Sequence, residues 1–306
     1  MSNEVNITRG FVTLAVGSDR YYQFARNMLR SFRMRHSEYP MAIICDRENE
    51  YTKEFDKVVI IDEENANYLA KFRILIDSPY DESIFIEPDC LIYHNIDHFF
   101  DLLSGGCDFT SFGWNDGPLD PWFAHPGKFI ARFGEKVRTI PAFCPGYFFI
   151  RKSAVCEKIY EDIFTLIDWL TENAVEENPD LMCHSNLRDD PLFFIAMKMN
   201  DCICEALPEQ GKCVNYYRVK KVIKISMRKG IFDVLQEKEY DNCNLMHFST
   251  KRCIEDGLYP QQCLSLNMCR KNYPVFLISL VESKAFGAIM KFCKKVKYSI
   301  VHRISK

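Results

Sequence analysis

Short apolar runs alternate with amphipathic stretches along the first 90 residues of the chain. Four apolar runs predict buried strands, at residues 11–16, 41–45, 58–61 and 83–87. Between some of them, apolar residues recur at helical spacing, which predicts helices from Ser18 or Asp19 to about Phe32 and over about 65–76. Strands that alternate with helices are typical of βαβ units, so we predict an α/β fold with a mainly parallel sheet.

The rest of the chain continues this alternation and ends in a basic stretch. Apolar runs predict further strands at 108–112, 147–151, 202–206, 213–217 and 244–248. Helical spacing predicts helices at 153–170, 190–199 and 274–306. Residues 113–146 are rich in glycine, proline and aromatic residues and are predicted to form a long loop. We expect one α/β domain over residues 1–265 and a basic amphipathic helical segment over residues 266–306.

Acidic residues and a glycine stand at or just after the ends of the predicted strands. They are Gly17, Asp19, Asp46, Asp62, Glu87 and Asp89. In parallel sheets, ligands bind at the carboxyl ends of the strands. This clustering is the first indication of a binding site.

Glu87 and Asp89 are the clearest pair among these acids. They follow the apolar run 83–86 and are spaced i and i+2, so in an extended chain both side chains point the same way. Two carboxylates that share one pocket repel each other unless a cation lies between them, and oxygen ligands suit Mg²⁺ or Mn²⁺. An isolated acid-x-acid triplet is more often a polar turn, so the pair needs support from its context.

The stretch from Leu69 to Phe100 provides that context. It resembles the sugar-nucleotide transferases with a GT-A fold, especially glycosyltransferase family 8, through Tyr80, the apolar run before Glu87, and Asp89. The resemblance implies a Rossmann-like, mixed and mainly parallel sheet flanked by helices. Glu87 stands where that family usually has aspartate, so Asp89 is the safer metal ligand of the two.

Other segments follow in the order that this family has, over residues 9–252. The resemblance implies contacts to the donor nucleotide or sugar from Ala15, Val16, Gly17, Tyr21, Lys71, Arg73 and Gly146. Three of these have an ordinary alternative. Tyr21 fits the packed face of a helix, whereas Lys71 and Arg73 fit a solvated one.

Two downstream segments complete the resemblance. In residues 187–197, Asp189 and Asp190 match a family pair at a helix start that faces the donor sugar or acceptor, although one of them could cap the helix instead. In residues 245–251, His247 matches a third metal ligand, and Lys251 matches a lysine that touches the diphosphate, with Arg252 as the alternative.

The resemblance therefore implies transfer of a sugar from a nucleoside-diphosphate sugar, most simply a UDP-sugar, to a saccharide or lipid-linked acceptor. Mn²⁺ or Mg²⁺ would assist, and the anomeric configuration would be retained. One alternative is a non-catalytic binding module, since Glu87, Cys144 and Pro145 depart from the family pattern. The other alternative is a sugar nucleotidyltransferase. Those enzymes have a glycine-rich basic loop after the first strand, and only Gly17 and Arg20 match it here, which disfavours this alternative.

Composition agrees with a folded globular protein and sets one segment apart. The 306 residues are 47% hydrophobic and 26% charged, and the net charge of −3 argues against a nucleic-acid partner. Residues 270–306, however, hold nine Lys or Arg and one Glu. Within them, the amphipathic pattern of residues 284–306 suits peripheral contact with an anionic membrane, or packing on the acidic remainder of the chain.

The 14 cysteines and the first residues bear on the compartment. The cysteines contain no C-x-x-C spacing, and residues 1–10 contain no hydrophobic stretch typical of a secretory start. These features favour reduced thiols. We expect a cytoplasmic protein that can lie on the inner face of a membrane.

Overall fold

The computed structural model describes residues 7–62, 64, 66–119, 126–173, 182–183, 186–206, 213–215, 219, 221–236, 239–249, 257–290 and 292. The chain divides into two compact units. The first unit comprises Met1–Tyr22, Tyr39–Glu87 and Asp97–Leu207, and the second comprises Gln23–Glu38, Pro88–Ile96 and Pro208–Lys306.

The described strands, in chain order, are β1 (Arg9–Ala15), β2 (Met41–Cys45), β3 (Lys57–Ile60), β4 (Glu82–Ile86), β5 (Cys90–Ile92), β6 (Phe109–Thr110), β7 (Gly113–Pro118), β8 (Thr139–Phe143), β9 (Tyr147–Arg151), β10 (Met182–Cys183), β11 (Asn186–Leu187), β12 (Cys213–Asn215), β13 (Lys221–Ser226), β14 (Ile231–Gln236), β15 (Glu239–Asn242) and β16 (Leu245–His247). The described α-helices are α1 (Asp19–Arg33), α2 (Ile74–Asp77), α3 (Phe99–Leu103), α4 (Pro126–Phe133), α5 (Ala154–Asn173), α6 (Asp189–Met199), α7 (Leu258–Arg270) and α8 (Val275–Val281).

A six-stranded sheet in the order β3-β2-β1-β4-β9-β6 forms the centre of the first unit. Strands β1 to β4 pair in parallel, whereas β9 runs antiparallel to both β4 and β6. All residues of β2 and β4 are buried, as expected for strands covered on both faces. The predicted mixed, mainly parallel α/β sheet is confirmed.

Helices cover both faces of this sheet. On one face, the Phe193 ring of α6 packs against Phe148 of β9 and Phe72, with ring centroids 5.2 and 4.9 Å apart. On the other face, Phe100 of α3 lies 5.3 Å from Phe11 of β1. This packing holds the start of α6 close to the end of β4, where the predicted acids lie.

The second unit contains two small sheets, most of α1, and the helices α7 and α8. The sheets have the orders β12-β16-β5 and β13-β14-β15. Their common core includes Tyr93, Phe232, Met246, Phe248 and Tyr259, all buried. Residues 284–290 are helical, which agrees with the described part of the predicted helix over 274–306. The division into a domain over residues 1–265 and a segment over 266–306 stays a prediction.

Three expectations about local structure were wrong, and one sheet was not predicted. The predicted helix over 65–76 is a 3-10 helix, Tyr68–Arg73, followed by the single turn of α2. The predicted loop over 113–146 contains β7, α4 and β8, and the antiparallel sheet of β13, β14 and β15 was not predicted. In the predicted strand over 202–206, the Cys204 N–H binds the Asn115 side chain, so no extended ladder forms there.

Among the described helices, none combines the length and the apolar character that crossing a bilayer requires.

Candidate functional site

The turn after β4 is fixed by two backbone acceptors. The Thr13 hydroxyl of β1 donates to the Ile86 carbonyl at 2.7 Å, and the Glu87 N–H donates to the Gly146 carbonyl at 2.8 Å. The predicted sugar-pocket glycine therefore contacts the predicted metal-binding segment through its backbone. These bonds hold the Glu87 side chain at the carboxyl end of the central sheet.

Lys71 lies buried in the first unit between two predicted site carboxylates. Its Nζ is 2.5 Å from Glu87 Oε1 and 2.5 Å from Asp189 Oδ2, and only 7% of the residue is exposed. Burial lowers the pKa of Lys71, but the charges of Asp189 and Glu87 outweigh burial and raise the pKa above its usual value. Lys71 is therefore a buried cation that joins the end of β4 to α6. Its burial excludes the alternative in which Lys71 lies on a solvated helix face.

The two aspartates at the start of α6 do not cap the helix. The N-cap position is Arg188, and no side-chain cap bond forms there. Asp189 faces Lys71 instead, and Asp190 lies 3.0 Å from the Arg188 guanidinium. Burial and the negative charge of Asp189 raise the pKa of Asp190 to about 7. Near neutral pH the pair can thus hold one proton as well as accept hydrogen bonds.

We expect Asp190→Asn to change how stability depends on pH. Because the pKa of Asp190 is raised from its usual 3.8 to about 7, the folded chain binds this proton more tightly than the unfolded chain. The contribution of this group is therefore fully present at low pH and declines by about 2–4 kcal/mol between pH 4 and pH 8. Thermal unfolding across this range should show Asp190→Asn gaining stability relative to wild type as pH rises.

Asp201→Asn is the matched control for this prediction. Asp201 follows the same helix at its other end, and its side chain is 86% exposed. Its profile should run parallel to that of the wild type. A parallel profile for Asp190→Asn as well would contradict the assigned pKa.

Strand pairing in the second unit brings His247 to Asp89. Strands β5 and β16 pair antiparallel with His247 opposite Cys90, and the Phe248 N–H donates to the Asp89 carbonyl at 3.2 Å. As a result, His247 Nε2 lies 3.2 Å from Asp89 Oδ1, although the residues are far apart in sequence. Only 5% of Asp89 is exposed.

Glu87, two residues before Asp89, completes a group of possible metal ligands. In the second unit, Asp89 and His247 each offer one ligand atom, and Glu87 precedes Asp89 by two residues in the chain. Two carboxylate oxygens and an imidazole nitrogen suit Mn²⁺ or Mg²⁺, which favour oxygen with some nitrogen. The residues present therefore fit the predicted ion.

The glycine turn after β1 is held by an acid that follows β2. Gly17 has φ +73°, and its N–H donates to Asp46 Oδ1 at 3.1 Å. The same carboxylate oxygen accepts from the Tyr22 hydroxyl at 2.5 Å, and Arg47 lies over the Tyr22 ring. Tyr22 and Arg47 were not among the predicted site residues. Tyr21 and Tyr22 are adjacent at the start of α1, and the sequence alone does not indicate which of the two rings is buried.

The other predicted nucleotide contacts have diverse environments. Ala15 ends β1 and Val16 follows it, while Tyr21 is an exposed aromatic residue on α1. Arg73 binds Asp77 at 2.6 Å, one turn away on the same helical stretch. Lys251 and its alternative Arg252 lie outside the described residues. The nucleotide roles of these residues stay predictions.

No family model matches the chain, and no curated protein matches it. Solved structures of glycosyltransferases do match the chain. GlyE of Streptococcus pneumoniae is 14% identical over 67% of this chain and 46% of its own, with a TM-score of 0.44. Galactosyltransferase LgtC, in complex with donor and acceptor sugar analogues, is 14% identical over 68% of this chain and 76% of its own, with a TM-score of 0.44. Mouse xyloside xylosyltransferase 1 is 10% identical over 80% of this chain and 99% of its own, with a TM-score of 0.48.

All three TM-scores lie below 0.5, and all three identities lie below 15%. The chain spans about half the length of GlyE.

Proposed function

We propose that this chain transfers a sugar from a nucleoside-diphosphate sugar, with UDP as the nucleotide, to a saccharide or lipid-linked acceptor. The observation that carries the proposal is the close pairing of Asp89 with His247, 3.2 Å apart, two residues after Glu87 in the chain. In α/β sheets this end is where ligands bind. The ligand types suit a divalent ion that binds phosphate oxygens.

Each residue of the site has a defined part in this proposal. Glu87, Asp89 and His247 would hold Mn²⁺ or Mg²⁺, and a bound ion would offset negative charge on the departing diphosphate. Asp189 orients the donor sugar, because its carboxylate is held in place by Lys71. Asp190 accepts hydrogen bonds from the sugar or acceptor. The proposal includes retention of the anomeric configuration, with the leaving diphosphate helping to deprotonate the acceptor hydroxyl.

A panel of nucleotide sugars tests this proposal against its alternatives. With Mn²⁺, at least one UDP-sugar should raise the unfolding temperature selectively and be hydrolysed slowly without acceptor, and EDTA should abolish both effects. Binding with no hydrolysis or transfer would favour a non-catalytic module. Release of pyrophosphate from a nucleoside triphosphate and a sugar 1-phosphate would identify a nucleotidyltransferase.

We further propose peripheral contact of the C-terminal helices with an anionic membrane, on its cytoplasmic face. Support comes from the exposed apolar side chains Phe276, Leu280, Ile289 and Phe292, and from Lys284 and Lys291, which lie among them in the sequence. In a vesicle-pelleting assay, the chain should bind vesicles that contain phosphatidylglycerol more strongly than neutral ones.

A double variant, Phe276→Glu and Phe292→Glu, should lose most of this vesicle binding. Ile60→Glu changes an equally apolar, exposed side chain of the first unit and serves as the control. Equal pelleting of the double variant and the wild type would exclude the membrane surface.

A further inference from the structure

Strand β7 presents an exposed indole ring. Along β7 exposure alternates, so Trp114, Asp116 and Pro118 face solvent, whereas Gly113, Asn115 and Gly117 are half-buried. Trp114 is 66% exposed, more than any other large apolar side chain in the described part of the first unit. Asp116 is also exposed and follows two residues later, at a bulge in the pairing of β7 with β8.

The backbone around Trp114 is held on both sides. Strand β7 pairs with β8, and the Asn115 amide exchanges two hydrogen bonds with the Cys204 backbone, at 2.9 and 2.7 Å. The Gly113 N–H donates to the Glu205 carbonyl at 2.9 Å. A Cβ at Gly113 would lie 2.3 Å from the Ala142 carbonyl oxygen, so glycine allows this close strand pairing. A ring carried on such a strand is preorganised for binding.

Strand β8 connects this ring to the proposed site. Trp114 is opposite Ala142 on β8, and four residues later the Gly146 carbonyl accepts from the Glu87 N–H. Four extended residues span at most about 14 Å. The Phe143 ring of β8 also lies 5.0 Å from Phe194 of α6, the helix that begins with Asp189. A short oligosaccharide that starts at the reacting centre can span the roughly 14 Å that these four residues cover.

We propose that Trp114 and Asp116 form a subsite for a sugar residue of the acceptor that does not itself react. The inference rests on the proposed function. The flat face of an indole packs against the C–H face of a sugar ring, and a carboxylate accepts from adjacent hydroxyls. A protein partner is less suited to this surface, because protein interfaces rely on clusters of buried anchors and β7 offers one ring between glycines.

Binding of glycans without donor tests the subsite directly. The probe is an array of neutral and acidic oligosaccharides, followed by titration of the best ligands with tryptophan fluorescence as the readout. Trp114→Ala should weaken binding about tenfold, and Trp114→Phe should recover most of it. Asp116→Asn should weaken binding less. Leu102→Ala, at an exposed apolar residue of α3 in the same unit, should bind as the wild type does.

Kinetics provide the second readout. For oligosaccharide acceptors, Trp114→Ala should raise KM about tenfold with little change in kcat. For the corresponding monosaccharide and for donor hydrolysis it should change neither. Equal glycan binding by Trp114→Ala and wild type, or no glycan binding by the wild type, would overturn the subsite.

The two proposals can fail separately. Trp114-dependent glycan binding without any turnover of a nucleotide sugar would remove the transferase function and keep the saccharide site. Donor turnover with glycan binding that does not depend on Trp114 would remove the subsite and keep the function. A change of oligomeric state in Trp114→Ala, with glycan binding intact, would assign the ring to a contact between copies of the chain and so overturn the subsite.

Discussion

Asp89→Asn is expected to lower metal-dependent turnover of the donor by about 100- to 1,000-fold. The Asp89 carboxylate is buried and lies 3.2 Å from His247 Nε2, so the substitution removes an anionic ligand from the centre of the proposed metal group. Charge stabilisation by a bound ion contributes several kcal/mol to a transition state, which corresponds to that loss of rate. Calorimetric titration with Mn²⁺ should show the matching loss of affinity.

Glu87 and Asp62 provide graded comparisons for this prediction. Glu87→Asp introduces the acid that is usual in the family that the sequence resembles, and this variant should keep most of the Mn²⁺ affinity. Glu87→Gln should weaken it. Asp62→Asn changes an exposed acid just beyond the end of β3 and should leave both readouts unchanged. Unaltered Mn²⁺ affinity in Asp89→Asn would disprove the assigned metal group.

Lys71→Met is expected to destabilise the fold by about 3–5 kcal/mol, since it leaves two carboxylates without their common partner in a desolvated place. Methionine retains the volume of the chain, so lost packing contributes little. At roughly 2–4 °C for each kcal/mol in a domain of this size class, the unfolding temperature should fall by about 10 °C. Urea unfolding and differential scanning calorimetry measure both quantities.

Two further variants separate charge from packing. Lys136→Met removes a half-exposed lysine that pairs with Asp201 at the surface, and it should cost at most about 1 kcal/mol. Combining Lys71→Met with Glu87→Gln and Asp189→Asn removes the whole charge cluster and should recover part of the stability. If Lys71→Met is no more harmful than Lys136→Met, the buried ion-pair assignment is wrong.

The sequence alone predicted the strands of the central sheet and indicated Glu87 and Asp89 as candidate metal ligands. Strands β1 to β4 are short apolar runs bounded by polar residues, and that pattern is local, so it can be recognised without the fold. The spacing of Glu87 and Asp89 is also local. Strand β13 was missed, because Lys224 interrupts its apolar residues and leaves no continuous apolar run.

The tertiary structure decided what these local features contact. From the sequence, Lys71 fits a solvated helix face as well as a binding site. The packing of Phe72 against α6 is what turns Lys71 toward Glu87 and Asp189. His247 comes to Asp89 through the antiparallel register of β5 and β16, and Trp114 is left exposed by the bonds that clamp β7. Side-chain pairing at long range depends on strand register and helix docking, which a sequence pattern of period 2 or 3.6 does not contain.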